Sequence, residues 1–372
     1  MIPAERLDGR RIMVLVYGHV ADTLAAVPGL RSLRTAYPAA RIEALVVKAS
    51  ASVLEGCPYV DEVVTWNDFQ LKGTRFAQAE KTAALGVLGV RLRLRRYDAV
   101  LVFHRSFRSI RRLAAVSGAP VRAGVSQGRD GYSHCATAPS DIHSSREENR
   151  SVLEAIGVSE DGGPLEMWTT PKDEAAAARL VGDADGLPVV GIHPGSDWSC
   201  QQWLPDRFAA VARELQRELG ARIVITGSTS ESSLQDEIAG RMDVTPIRAA
   251  GATSLGELVA VIKRLDLLIS VNSAPAAIAR AVETPALILL GPEDPRLTGL
   301  TSGERLRIVQ PGERLAPGSW CEFGRWGVLS ACDSPMCRAV SGLDRLQPED
   351  VTAAAVRMLS AASYRQPVEA AR

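Results

Sequence analysis

The chain alternates short, wholly apolar runs with longer stretches in which apolar residues recur every three or four positions. Arg11–Val16 reads R-I-M-V-L-V, Arg41–Val47 R-I-E-A-L-V-V and Tyr97–Phe103 Y-D-A-V-L-V-F. Runs of this length, rich in β-branched residues, predict strands of a parallel sheet buried on both faces. After the first run, Leu24, Val27, Leu30 and Leu33 form one helical stripe, with Pro28 removing an internal hydrogen bond. Further expected elements are a helix over Ala49–Leu54, a strand at Glu62–Thr65 and helix over most of residues 67–92. A helix at Ser106–Val116, a strand at Val121–Gly124 and a helix at Ser144–Ile156 follow. Residues 126–142 are polar and read as a loop.

Around Gly162-Gly163-Pro164 the texture loosens into a linker reaching Pro171, and an alanine-rich helix follows at Asp173–Val181. The alternation then restarts with strand 188–193 and helix 206–219, whose apolar face is Phe208, Val211, Leu215 and Leu219. Strand Arg222–Thr226, a helix from Ser232, strand Asp266–Val271, helix Ser273–Val282 and strand Ala286–Leu290 complete it. Ser254-Leu255-Gly256-Glu257 is a capping box opening one more helix. Strand and helix alternating twice over call for two parallel sheets with right-handed crossovers. The expected domains are residues 1–165 and 166–346, with 347–372 a helix and tail packing back on the first domain. Ligand is expected between the carboxyl ends of the two sheets.

Composition narrows the class. Lys plus Arg and Asp plus Glu are each 43, so no global field favours nucleic acid or an anionic surface. No apolar run reaches the length of a membrane span, and the first residues lack the pattern of a signal peptide; a cytoplasmic protein without membrane insertion is expected. Six cysteines are too scattered for a disulfide framework. Cys321, Cys332 and Cys337 share one segment but lack C-x-x-C pairing, which leaves core or surface thiols and a partial metal site both open.

Candidate chemistry gathers where strands end. Asp22, past the first strand, is either a general base or a helix N-cap. Gly195-Ser196 and Asn272-Ser273 are turns before helices whose N-termini suit a diphosphate, and Glu231 could hold ribose hydroxyls. In each case an ordinary capped helix is the competing reading. Arg105 and Arg108 could meet an anionic acceptor, and His19 and His104 also sit at strand ends. No G-x-G-x-x-G or Walker A sequence is present, nor a Ser-His-Asp pattern or H-E-x-x-H.

R-I-M-V-L-V-Y-G-H-V-A-D-T-L-A-A-V-P-G-L-R-S-L resembles the opening of glycosyltransferase family 9, the ADP-heptose:lipopolysaccharide heptosyltransferases. So do A-Y-P-A-A-R-I-E-A-L-V, P-Y-V-D-E-V, H-P-G-S with Q-Q-W-L-P-D-R-F, I-T-G-S-T-S-E, A-G-A-T-S-L-G-E-L and L-L-G-P-E-D-P, in order from about residue 11 to 299. The resemblance implies a GT-B fold of two Rossmann-like domains, acceptor on the first and nucleotide sugar on the second. It implies inverting transfer without a metal or other cofactor. It places the family's proposed base on Asp22, the ribose-binding Glu on Glu231 and the base-contacting backbone near Thr253.

Three positions depart from the family pattern. The Lys of K-x-W-P is Gln201, D-T-G-x-x-H begins Asn272-Ser273-Ala274, and the Gly before the base is Ala21. A lost cation and a lost carboxylate on the donor side point to a changed sugar or nucleotide. The expected donor-binding set is Gly195, Ser196, Gln201, Glu231, Thr253, Asn272, Ser273 and Ala274. The expected acceptor-binding set is His19, His104, Arg105 and Arg108. The first reading is a sugar transferase acting on a small soluble acceptor in natural-product (antibiotic) biosynthesis. A heptosyltransferase of cell-envelope glycan and a non-catalytic nucleotide-sugar-binding or scaffold protein are the alternatives.

Overall fold

The computed structural model of the 372-residue chain describes residues 7–66, 75–103, 108–126, 131–137, 144–196, 201–249, 251–291, 294–311 and 343–363. The chain divides into two compact units, Met1–Trp168 and Thr169–Arg372.

The first unit holds β1 (Arg11–Val16), β2 (Arg41–Val47), β3 (Glu62–Trp66), β4 (Ala99–Phe103), β5 (Val121–Val125) and β6 (His134–Ala136). They form one parallel sheet in the order β3-β2-β1-β4-β5-β6. The helices are α1 (Val20–Ala36), α2 (Arg75–Leu94), α3 (Arg108–Val116) and α4 (Ser145–Glu154). Leu24, Val27, Leu30 and Leu33 of α1 are fully buried, as their spacing predicts. The helix runs through Pro28, whose carbonyl accepts the Ser32 hydroxyl at 2.9 Å. Met13, Leu15, Val100 and Val102 of the sheet pack with Leu88 and Leu92 of α2 and Ile110 and Leu113 of α3. Each such side chain contributes on the order of 2 kcal/mol through the area it removes from water.

Two expectations are corrected here. Ala49–Leu54 lies within a 3₁₀ turn, Lys48–Leu54, rather than an α-helix. The polar stretch 126–142 contains the edge strand β6, which is too short to show a period.

The segment after α4 is strapped to the first unit rather than loose. Arg31 grips Asp161 at 2.5 and 2.8 Å and Glu166 at 2.5 Å. Arg146 donates to Glu160 at 3.0 Å and to the Gly163 carbonyl at 2.7 Å. Tyr59 donates to Glu166 at 2.9 Å and meets the Trp168 ring edge-on. The Arg31 guanidinium holds the Asp161 carboxyl down at about 2, against the smaller opposing effect of burial.

The second unit holds α5 (Pro171–Val181), β7 (Val189–His193), α6 (Pro205–Leu219), β8 (Arg222–Ile225), α7 (Ser232–Ala239) and β9 (Ile247–Arg248). It continues with α8 (Leu255–Lys263), β10 (Leu267–Val271), α9 (Ala274–Ala281), β11 (Ala286–Leu289), α10 (Pro295–Thr298) and β12 (Leu306–Val309). Its parallel sheet runs β12-β11-β10-β7-β8-β9, the same order as the first when strands are counted from β7. Trp203 and Phe208 meet edge-to-face at 4.9 Å inside its core.

Helix α11 (Pro348–Ser363) buries Val351, Ala354, Ala355 and Leu359 in the second unit's core with α6 residues. The Trp203 indole and the Arg207 guanidinium both donate to the Leu346 carbonyl just before it, at 3.3 and 2.5 Å.

Candidate active site

In the first unit β1 and β4 lie side by side, Val16 opposite Phe103, and the strand order reverses there. The carboxyl ends of strands at such a point are where open parallel sheets take ligands. Tyr17-Gly18-His19 follows β1, and Asp22 stands third in α1. Its Oδ2 accepts the His19 backbone N–H at 3.0 Å, so Asp22 is not itself the N-cap; it closes the first turn from inside, with His19 at the cap. Its Oδ1 accepts the Ser145 hydroxyl at 2.9 Å. Asp22 is half-buried and His19 exposed. The carboxylate folds so tightly over Gly18 that a Cβ there would overlap it, which is why a side chain is absent at that position.

Arg108 opens α3, while His104 and Arg105 lie outside the described residues, as do Cys200, Cys321, Cys332 and Cys337. Ser145 was not singled out by the sequence. The only signal is that two serines open α4 and the capping box needs one: Ser144 donates its N–H to Glu147 at 2.7 Å and accepts the Glu147 N–H at 3.4 Å.

In the second unit β7 and β10 are the central pair, His193 opposite Ser270. Pro194-Gly195-Ser196 follows β7. Glu231, in a 3₁₀ turn (Thr229–Glu231) after β8, lays its carboxylate against the Gly195 backbone, leaving no room there for a Cβ. Its Oε2 accepts the Ser228 N–H at 2.6 Å and the Ser228 hydroxyl at 2.8 Å. The Ser196 hydroxyl donates to Oε1 of the buried Gln201 at 3.0 Å. Gly195, Ser196, Gln201 and Glu231 therefore form one cluster. Behind it His193 is buried, its Nδ1 3.1 Å from the Thr226 hydroxyl. Burial lowers the imidazole pKa, against a smaller upward pull from Glu231, and keeps the ring neutral at physiological pH.

Two expected helix N-termini are built differently. Helix α6 begins at Pro205 with Leu204 at its N-cap, so Ser196 does not sit at that helix's start; the buried Trp203 and the fixed φ of Pro205 set the beginning later. Ser273 does occupy the N-cap position of α9, but its hydroxyl does not cap. It donates back to the Val271 carbonyl at 3.2 Å and lies 3.2 Å from the Ser270 hydroxyl, which compete for it. Asn272, Ser273 and Ala274 are half-buried beside β10. Thr253 bonds the Ala249 carbonyl at 3.3 Å, and the next residue, Ser254, makes the expected capping box with Glu257.

The model of glycosyltransferase family 9 (heptosyltransferase) matches residues 86–316. The chain is 28% identical over 287 residues to lipopolysaccharide heptosyltransferase 3 of Escherichia coli, covering 73% of this chain and 81% of that protein. Its fold is similar to the family 9 glycosyl transferase of Veillonella parvula, with a TM-score of 0.79 at 23% identity, over 96% of this chain and 99% of that one. It is similar also to E. coli ADP-heptose lps heptosyltransferase II, with a TM-score of 0.70 at 19% identity, over 95% and 99%. Two parallel-sheet α/β halves with these neighbours are the GT-B architecture. With a family match spanning both halves, this chain belongs to glycosyltransferase family 9 and is a glycosyltransferase.

Proposed function

We propose that the chain is an inverting heptosyltransferase of cell-envelope glycan, using ADP-heptose as donor. This replaces both the expected change of sugar or nucleotide and the reading as a tailoring enzyme for a small soluble acceptor, because the relatives it matches along most of its length are lipopolysaccharide heptosyltransferases. The observation that carries the chemistry is Asp22: a half-exposed carboxylate at the ligand-binding end of the first sheet, oriented by two hydrogen bonds. It takes the proton of the acceptor hydroxyl as that oxygen bonds to the anomeric carbon. The bond from the same carbon to the diphosphate breaks, and ADP leaves with the electron pair.

The acceptor is assigned to the first unit, with His19, His104, Arg105 and Arg108 around its hydroxyls and anionic groups. The donor is assigned to the second. Glu231 takes ribose hydroxyls, and the backbone near Thr253 meets the base. Gly195, Ser196, Gln201, Asn272, Ser273 and Ala274 surround the diphosphate and sugar, absorbing the departing charge with hydroxyl, amide and backbone dipoles. No metal is needed in this scheme, so turnover persists in EDTA.

The test is a thermal-shift screen of ADP-heptose against GDP-, UDP- and dTDP-sugars, followed by ADP release on a lipopolysaccharide core lacking its outer heptose. A donor at 100 times its Kd stabilises the fold by about 2.7 kcal/mol. Stabilisation by ADP-heptose with transfer to the core supports the proposal; stabilisation by another nucleotide sugar alone overturns it.

A further inference from the structure

We infer that Ser145 is a positioning residue for Asp22, holding the base in its working orientation from a helix 123 residues away. The inference rests on the proposed role of Asp22.

Each oxygen of the carboxylate accepts a hydrogen bond, and the two donors come from different elements. The His19 N–H belongs to the turn that carries Asp22 and fixes Oδ2; the Ser145 hydroxyl comes from α4 and fixes Oδ1. With the first alone, the carboxylate could still rotate about its terminal torsion, which is broad and roughly two-fold for Asp. The bond from Ser145 opposes that rotation. It is also a bond from a hydroxyl to a charged acceptor, the strong kind.

A helix-capping role does not account for Ser145, because Ser144 and Glu147 already close the start of α4. Nor is the hydroxyl needed to dock α4. The buried Asn149 side chain donates to the Ala25 carbonyl of α1 at 3.1 Å, and Val152 and Leu153 are fully buried below it. The helix is seated without Ser145. What the hydroxyl adds is the aim of one carboxylate.

A base misdirected by a fraction of an ångström still binds its substrates but reacts from fewer of its conformations. Ser145→Ala is therefore expected to lower kcat by tenfold to a hundredfold, roughly the penalty of a small misplacement, with the KM for ADP-heptose unchanged. Ser145→Thr keeps the hydroxyl and restores kcat. A second readout needs no ligand. In protein labelled with ¹³C at aspartate Cγ, the Asp22 resonance is identified by its loss in Asp22→Asn. It moves in Ser145→Ala and returns in Ser145→Thr.

A resonance unmoved by Ser145→Ala, or wild-type kcat in that variant, overturns the inference. So does a fall in activity that Ser145→Thr does not rescue. Wild-type turnover by Asp22→Asn overturns the base itself and this inference with it. Failure at Ser145 while Asp22→Asn is inactive leaves the base standing, so the two failures are told apart.

Discussion

The two ends of the first sheet each hold a carboxylate, and they are treated in opposite ways. At the back, near the amino ends of the strands, Glu43 of β2 is fully buried. Its oxygens accept from Arg11 at 2.7 Å, Arg41 at 2.9 Å, Arg95 at 2.6 Å and the Tyr97 hydroxyl at 2.5 Å. Burial alone would raise its pKa, but the Tyr97 hydroxyl and the three guanidiniums outweigh it and bring the group down to about 2. At the front, Asp22 is half-exposed and held by a backbone N–H and a hydroxyl. A sealed charge ringed by cations fastens strands together and keeps its proton off at every working pH. A carboxylate that exchanges a proton with substrate has to be reachable. On the proposed function, exposure is what separates the structural acid Glu43 from the reacting acid Asp22.

Substituting each acid tests this division. Asp22→Asn is expected to have the largest effect, lowering kcat by about 10³-fold, within the range for removal of a general base, with an unchanged melting temperature. Glu43→Ala should do the reverse. Opening a buried ion cluster on one side costs about 3–5 kcal/mol, read by urea unfolding, while the molecules that remain folded keep their kcat. The same pair separates in acid. A folded pKa of about 2 against an ordinary value of 4.5 means Glu43 contributes its full stabilisation above about pH 4.5. That contribution, on the order of 3 kcal/mol, drains away as pH falls toward 2. Unfolding curves of the wild type and Glu43→Gln between pH 5 and 2 should therefore converge; parallel curves would place the acid sensitivity elsewhere.

Much of this was legible in the sequence, and the remainder has a common cause. The central strands β1, β2, β4, β7, β8 and β10 are covered on both faces, so each writes itself as an apolar run. Strands β6 and β9 are edges of three and two residues, too short for a run or an alternation to register, and the edge β12 is interrupted by the exposed Arg307. Asp22 and Glu231 stand out in the sequence as candidates, through family resemblance and strand-end position. The contacts they make are not readable there: Ser145 reaches back 123 residues to Asp22, and Gly195 lies against Glu231 across neighbouring strands β7 and β8. Ser196 and Ser273 had the right residue type for helix starts, but buried Trp203 in one case and the Ser270–Val271 pair in the other redirected them.

The front of the second sheet extends the comparison to a third carboxylate, Glu231, held by Ser228 and laid against Gly195. Gly195→Ala pushes a methyl group into the Glu231 carboxylate and should weaken ADP binding about tenfold, roughly 1.4 kcal/mol by calorimetry, with little change in kcat at saturation. An unchanged affinity would mean that Glu231 moves aside freely and does not hold the ribose.

The smallest effect is expected at Gln201, and it is a gain. Gln201 is buried beside Ser196 and accepts its hydroxyl. Gln201→Lys exchanges that amide for a cation that has given up water in a buried position. Its unliganded melting temperature should therefore fall slightly. When ADP binds, the diphosphate supplies a countercharge, so the same burial that disfavours the lysine strengthens its contact with phosphate. The balance should tighten ADP by a few-fold, about 1 kcal/mol, and flatten again in high salt if the lysine remains partly screened. A lower melting temperature without tighter ADP would show that position 201 faces protein rather than diphosphate. The front of the second sheet would then be as closed to ligand as the Glu43 cluster is at the back of the first.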